Sequence, residues 1–345
     1  MASAQEKTPL TSESSPNKFN FFPHLPPYSP PTTGILSKLP PSWVPYAQLM
    51  RLDRPAGFYV FYLSHVIGLF YAACITTPPP SEVARLTVLL IPVNVLLRGA
   101  ACSFNDTVDQ AFDRRVARCR HRPVARGAVT TTQAHIFTAC QLLFGYIPLL
   151  VLSGFPRESL PHAAGMVTLL FAYAFMKRGT NYPQVVLGVS LAWAIFFCGA
   201  ALGLDPFDFS SHGKSTLALF GSNVVWSITY DTIYAHQDVV DDVKAGVMSM
   251  AVRFRESTKL LAAILSVIQV VLLVACGIYE RETFGGFIYF VGTVGGVAAT
   301  MAYFIYEVDL KSPGSCGRYF HRQGKIVGAA FLSGLIGEYV VKVVR

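Results

Sequence analysis

Nine stretches of mostly apolar residues constrain this chain more than any other feature, because about twenty residues of helix span the hydrocarbon core of a bilayer. They fall roughly at 56–76, 84–104, 131–153, 160–176, 184–204, 215–235, 258–279, 284–306 and 324–342. Composition agrees: 52% of the 345 residues are hydrophobic and 14% are charged, too apolar for an ordinary soluble domain. A segment in lipid must satisfy its own backbone hydrogen bonds, which makes such stretches helical. The expected fold is therefore all-α, a polytopic membrane protein of about nine transmembrane helices. Pro92, Pro148 and Pro161 fall within or near spans, where neighbouring helices can tolerate them.

Residues 1–45 are different. They are rich in Pro, Ser and Thr, including Pro26-Pro27 and Pro30-Pro31, and are expected to form an extended or disordered tail. The remainder, 46–345, reads as one transmembrane domain. No apolar core follows the first charges, as a cleavable signal peptide would need. The tail has no Arg before Arg51 and carries Glu6 and Glu13, a poor fit to a mitochondrial presequence. The expected location is the endoplasmic reticulum or another endomembrane, with the mitochondrial inner membrane as the alternative.

The net charge of +8 could suggest nucleic acid, but the basic residues lie mainly in short loops between spans. Loops after the even-numbered stretches hold fourteen Lys and Arg, whereas those after the odd-numbered ones hold Arg85, Arg157, Lys214 and Arg281. The positive-inside rule accounts for this asymmetry and puts the N-terminus on the cytosolic side. No nucleic-acid motif is present, and nothing implies a protein partner. The seven cysteines form no CxxC pair and read as small buried apolar residues rather than a disulfide or zinc set.

In this charge-poor chain two acidic clusters stand at helix ends, both on the expected cytosolic side. One is Asn105-Asp106-Thr107-Val108-Asp109-Gln110-Ala111-Phe112-Asp113; the other is Asp238-Val239-Val240-Asp241-Asp242. Grouped carboxylates beside a membrane repel one another and lose hydration, so they imply a bound partner. A hard divalent cation such as Mg²⁺ prefers oxygen ligands and completes its shell with water and phosphate. Asn105, Asp109 and Asp113 are spaced i, i+4, i+8 and are expected on one helix face; Asp238 and Asp242 are again i, i+4. One such pair alone would ordinarily be a solvated helix end. Two, among many cations, point to several metal ions holding one polyanion, most simply a diphosphate.

Basic residues complete the pattern. Arg114, Arg115, Arg118, Arg120, Arg122 and Arg126 follow the first cluster, and Lys177-Arg178 follow the fourth stretch. Some can grip phosphate oxygens; topology and anionic lipid explain at least half of them. Arg98 lies inside the second stretch, seven residues before Asn105. A buried Arg needs an anionic partner, which could be diphosphate, a substrate carboxylate or, equally, a fixed ion pair in the bundle. Tyr230, Asp231 and Lys244 flank the second cluster. The clusters end the second and sixth stretches, four helices apart, which hints at two similar halves plus a ninth helix. Asn105-Asp106-Thr107 fits a glycosylation sequon, discounted on the cytosolic side.

The stretch NDTVDQAFD resembles the NDxxDxxxD signature of UbiA-type membrane prenyltransferases, and YDTIYAHQDVVDD resembles their second signature in its 4-hydroxybenzoate polyprenyltransferase form. LMRLDRPAGFYVFYL, RHRPVARGAV and KRGTNYPQVVLG are also similar to that branch, so the resemblance covers about residues 46–345. Within it the chain looks most like the fungal meroterpenoid farnesyltransferases. The resemblance implies nine helices around a central cavity, capped by the two motif loops. It implies transfer of a prenyl group from an isoprenoid diphosphate to a phenolic acid acceptor in the membrane. Asn105, Asp109, Asp113, Asp238 and Asp242 would hold Mg²⁺ and diphosphate, with Asp106 and Asp241 auxiliary. Lys177 and Arg178 would touch diphosphate or acceptor. The catalytic candidates are then Asp109, Asp113, Asp238, Asp242 and Arg98, and Asn105, Lys177, Arg178, Lys244, Tyr230 and Arg54 are the substrate-binding ones.

The expected donor is farnesyl diphosphate and the expected acceptor an orsellinic-type polyketide acid. A 4-hydroxybenzoate polyprenyltransferase of ubiquinone synthesis is the alternative within the class. An ion-coupled transporter is the alternative outside it, although transporter carboxylates tend to sit at mid-membrane. The DG…AR…G…D…D pattern of CDP-alcohol phosphotransferases is missing from the sequence.

Overall fold

Every apolar stretch becomes a helical rod in the computed structural model, which describes residues 21–284 and 287–344. The rods are α1 (Ala56–Thr76), α2 (Pro80–Val108), α3 (Thr131–Leu152), α4 (Arg157–Met176), α5 (Pro183–Ala201), α6 (Gly213–Ala235), α7 (Met250–Tyr279), α8 (Phe287–Glu307) and α9 (Pro313–Val344). No strand occurs among the described residues. Residues 1–20 of the expected tail, and 285–286 near the start of the eighth stretch, lie outside the described residues.

Eight of the rods are long and apolar enough to cross a membrane among the described residues. The exception, α6, carries Ser215, Thr216, Ser222, Asn223, Ser227, Thr229 and Thr232, all of them buried. Its polarity follows from its place: it packs on α5, α7 and α9. Lipid gives no hydrophobic drive for helices to associate, so close approach and interhelical hydrogen bonds hold them. Tyr71 Oη lies 2.8 Å from Ser215 Oγ, Ser64 Oγ donates to Asn223 Oδ1 at 3.2 Å, and Trp226 Nε1 donates to Gln323 Oε1 at 2.9 Å. Close approach is served by glycine: a Cβ on Gly68 would stand 2.7 Å from the Ile195 Cα of α5.

Two rods are interrupted by wider π-helical turns, Gln141–Tyr146 in α3 and Phe290–Gly295 in α8. The first precedes Pro148, whose missing N–H removes a helical bond. The second packs Gly292 against Gly334 of α9, where a Cβ would be 2.7 Å from the Gly334 nitrogen.

At one end the bundle is capped. A short helix Gln110–Asp113 and the segment after it follow α2, and Val239–Ala245 follows α6. The two are joined by an apolar cluster of Val116, Cys119, Ala245 and Val247. The Asp241 carboxylate also accepts the Ala117 N–H at 2.9 Å. The two acidic clusters therefore meet at the same end, brought together by the fold from 124 residues apart in the case of that bond.

Candidate active site

A cavity of about 310 Å³ opens at the capped end and runs down between α1, α2, α4, α5, α6 and α9. Its mouth is ionic and its floor apolar, with Val60, Phe61, Leu170, Leu187 and Leu191 below the charged residues. Asn105, Asp109, Asp113, Asp238, Asp242, Arg54, Arg98, Lys177 and Tyr230 all line it. Two expected members do not. Arg178 is displaced to the rim, donating to Asp109 Oδ1 at 3.3 Å with its guanidinium 4.7 Å from the Phe112 ring centre. Lys244 is exposed on the outer side of its short helix. It is two residues beyond Asp242, about 200° around the helix, which turns it away from the cavity.

The first cluster does not lie on one continuous helix, as its spacing suggests. The long helix α2 ends at Val108, and Asp109 adopts φ −84°, ψ 0° before the short helix begins. The i, i+4 step survives the bend: Asp109 N–H donates to the Asn105 carbonyl at 2.8 Å and Asp113 N–H to the Asp109 carbonyl at 2.9 Å. The bend occurs where the Asp109 carboxylate, 1% exposed, accepts Lys177 Nζ at 2.7 Å and Asn105 Nδ2 at 3.1 Å. Burial alone would raise the Asp109 carboxyl, but Lys177, Arg122 and Arg178 together hold it below its usual value. Asp113 accepts Arg122 Nη1 at 2.9 Å. Burial, with Asp106 and Asp109 nearby and against the pull of Arg122, pushes it up to about 6.

Beside them Asp106, fully buried, is clamped by Arg51 at 2.5 Å and Arg122 at 3.4 Å. Arg51 has φ +59°, a left-handed conformation that costs a non-glycine residue energy and is found where tertiary contacts fix it. Its carbonyl accepts Arg98 Nη1 at 3.2 Å, and the Arg54 carbonyl accepts Arg98 Nη2 at 2.7 Å. The intramembrane Arg98 thus meets two backbone dipoles rather than a fixed carboxylate, and its side chain faces the cavity.

In the second cluster Asp238 precedes the short helix and is held by Arg118, with Nε 2.9 Å from Oδ1; Arg118 Nη1 also donates to Tyr234 Oη at 2.9 Å. Asp242 faces the cavity, and burial with Asp238 close by pushes its carboxyl up to about 7. Tyr230 is buried, its Oη donating to Ser227 Oγ at 3.3 Å. His236 is buried with Nε2 2.9 Å from Thr258 Oγ1. Residues whose place at the site the sequence did not reveal are Arg51, Tyr173 and Gln184; Arg118, Arg122 and Asp231, noted beside the clusters, also line it. Arg51 reads from sequence as boundary charge, and Arg118 and Arg122 could be either phosphate ligands or topology charge. Asp231 lies seven residues before Asp238, two helical turns, which puts it on the same side of its helix.

The donor set suits a hard cation. Asn105 Oδ1 is buried with no hydrogen-bond partner in the structure, and it stands beside carboxylates from both clusters around one cavity. No group of three His, Cys, Asp or Glu side chains among the described residues could hold a metal unaided. Mg²⁺ needs no such group, because it takes one or two carboxylates and fills its shell with water and phosphate.

The sequence profile of the UbiA prenyltransferase family matches residues 61–335. The prenyltransferase ascA of Acremonium egyptiacum is 43% identical over 250 residues, 72% of this chain and 70% of that protein. The mitochondrial 4-hydroxybenzoate polyprenyltransferase of Saccharomyces cerevisiae is 33% identical, covering 89% of this chain and 80% of its own. The DMOA farnesyltransferase nvfB of Aspergillus novofumigatus is 36% identical, covering 76% and 84%. In structure, a UbiA homologue from Archaeoglobus fulgidus bound to GPP and Mg²⁺ superposes with a TM-score of 0.63 at 14% identity, over 86% of this chain and 99% of that one; this is a likeness of fold.

Proposed function

The chain belongs to the UbiA prenyltransferase family, and from that premise we propose that it moves a farnesyl group from farnesyl diphosphate to the ring of an orsellinic-type phenolic acid in meroterpenoid synthesis. The observation that carries the reading is the single cavity at which two acidic clusters and Arg51, Arg98, Arg118, Arg122 and Lys177 converge above an apolar floor. The relative named DMOA farnesyltransferase supports the farnesyl donor. Family membership displaces the transporter alternative.

The chain's own residues divide the work. Asn105, Asp109, Asp113, Asp238 and Asp242 would hold Mg²⁺, which when bound would neutralise the diphosphate and make it a better leaving group. Lys177, Arg118, Arg122 and Arg98 donate charge-assisted hydrogen bonds to diphosphate oxygens, with Arg178 supporting from the rim. Arg54 at the mouth suits the acceptor's carboxylate. Breaking the C1–O bond leaves an allylic cation, and Val60, Phe61, Leu170 and Leu191 keep water from it. Tyr173 and Tyr230 line the same space, where an aromatic ring can stabilise positive charge. The phenol ring attacks C1, a new C–C bond forms, and the ring proton passes to Asp231. We take the domain to span 46–345 and the membrane to be an endomembrane; loop charge favours a cytosolic N-terminus.

The test supplies microsomes containing the chain with farnesyl diphosphate, Mg²⁺ and either an orsellinic-type acid or 4-hydroxybenzoate, read by mass spectrometry with an EDTA control. A farnesylated orsellinic-type product lost with EDTA is the expected result. Product only with 4-hydroxybenzoate, and more with longer donors, would place the chain with its yeast relative instead.

A further inference from the structure

A second cavity, of about 300 Å³, lies outside the first and contains none of the carboxylates of the acidic clusters. Arg51, Arg54 and Arg122 line both cavities, so the two meet at a shared wall of guanidinium groups. The outer wall is the segment Pro26–Ser29, which is fastened to the cap. The Pro26 carbonyl accepts Arg120 Nη2 at 2.9 Å. The Tyr28 ring lies with Arg126 3.9 Å from its centroid and the His121 ring 5.8 Å away. Gln48 Nε2 donates to Tyr28 Oη at 3.3 Å. A proline pair suits this role because it brings no N–H that would need a partner.

Charge in this chamber is left over. Among the described residues the hydrogen-bond partners of Arg120 are carbonyls, Ala117 at 2.5 Å and Pro26. Arg126, just behind the wall, has the His121 carbonyl at 2.5 Å and Gln48 Oε1 at 2.9 Å. The one carboxylate in the lining, Asp53, is 3.5 Å from Arg54 Nε. Guanidinium groups with neutral partners bind an oxyanion more strongly than any group they now hold. The prolines and the Tyr28 ring add apolar and aromatic surface, which suits a flat aromatic acid better than bare diphosphate.

We propose that this antechamber docks the carboxylated aromatic acceptor before it crosses the arginine wall into the reacting cavity, with Arg120 and Tyr28 setting its affinity. The inference rests on the proposed function, because it takes the acceptor to be an aromatic acid. Arg120 and Tyr28 line only the antechamber, so they act on acceptor entry and leave the bond-making step alone.

The test is steady-state kinetics of the full chain and its Arg120→Ala, Tyr28→Ala and Tyr28→Phe variants, using the carboxylated acceptor and its decarboxylated phenol. Arg120→Ala should raise the acceptor KM about tenfold, the worth of one charge-assisted hydrogen bond. Its kcat and donor KM should stay within about twofold of the parent. The decarboxylated phenol should show no difference between Arg120→Ala and parent. Tyr28→Ala should raise the acceptor KM and Tyr28→Phe, which keeps the ring, should not. An unmoved acceptor KM in active variants would overturn the antechamber and leave the functional reading intact. So would a change confined to inhibition by added diphosphate. No product from the parent chain with any carboxylated acceptor would sink both.

Discussion

Replacing Asp109 by Asn tests whether this carboxylate has a structural role, a chemical one or both. It is 1% exposed and takes Lys177 Nζ at 2.7 Å and Arg178 Nη1 at 3.3 Å. Removing one partner of a buried ion pair costs about 3–5 kcal/mol, because the other charge is left uncompensated. Here the orphans are partly wet, Lys177 at 23% and Arg178 at 36% exposure, so the lower end applies, about 3 kcal/mol. Lys177→Met leaves Asp109 with Arg178 and Asn105 and should cost less, about 2 kcal/mol. The double variant removes both charges and should cost less than the sum of the singles by about 1–2 kcal/mol. Turnover should not follow stability: the single Asp109→Asn and the double variant should both lose about 100-fold or more, since neither restores a negative ligand. Stability is read by denaturant unfolding in detergent micelles through tryptophan fluorescence, and turnover by product formation. Additivity within about 0.5 kcal/mol would refute the ion pair. Recovery of turnover in the double variant would refute the chemical role.

Other consequences follow from the same geometry. Asp242 is pushed up to about 7 and Asp113 to about 6. A raised carboxyl keeps its proton at a pH where an ordinary one has lost it, and that proton must leave before a cation binds. Calorimetric Mg²⁺ affinity should therefore be full above about pH 8 and fall as pH drops through 7 and then 6, by up to about tenfold per unit for each proton; a flat profile would refute this. In Gly57→Ala the new Cβ would lie 2.7 Å from Arg98 Nη2. Helix propensity favours the change by about 0.5–1 kcal/mol, yet the guanidinium must leave the Arg54 carbonyl. Thermal stability should hold while kcat/KM falls about tenfold; wild-type kcat/KM would remove Arg98 from the site.

Much of this was legible in the sequence because the membrane simplifies the code. Runs such as Phe58–Ala73 declare their helices by length and apolarity alone. The ends of α9 were harder: it starts at Pro313, eleven residues before its apolar stretch, as helical turns carrying Arg318, His321 and Arg322. The polar α6 was found because its apolar residues still suffice in number, although its Ser and Thr reflect neighbours that no window reveals. At the site, the aspartates announce themselves by spacing. Arg51, Arg118 and Arg122 do not, because a loop arginine that obeys the positive-inside rule looks the same whether it faces lipid headgroups or Asp106 and Asp238. Only the folding of the 114–127 segment against the cap separates those fates. Lys244 shows the converse: nearness in sequence to Asp242 placed it at the site, and helix geometry turned it outward.

The measurement closest to the central claim is product formation by the purified chain beside Asp109→Ala and Asp242→Ala, each shown to be folded by gel filtration. The two substitutions remove one carboxylate from each acidic cluster. On the proposed function both clusters serve one diphosphate in one cavity, so each variant should lose most of the parent's prenyl transfer. Near-normal turnover in either folded variant would contradict the account.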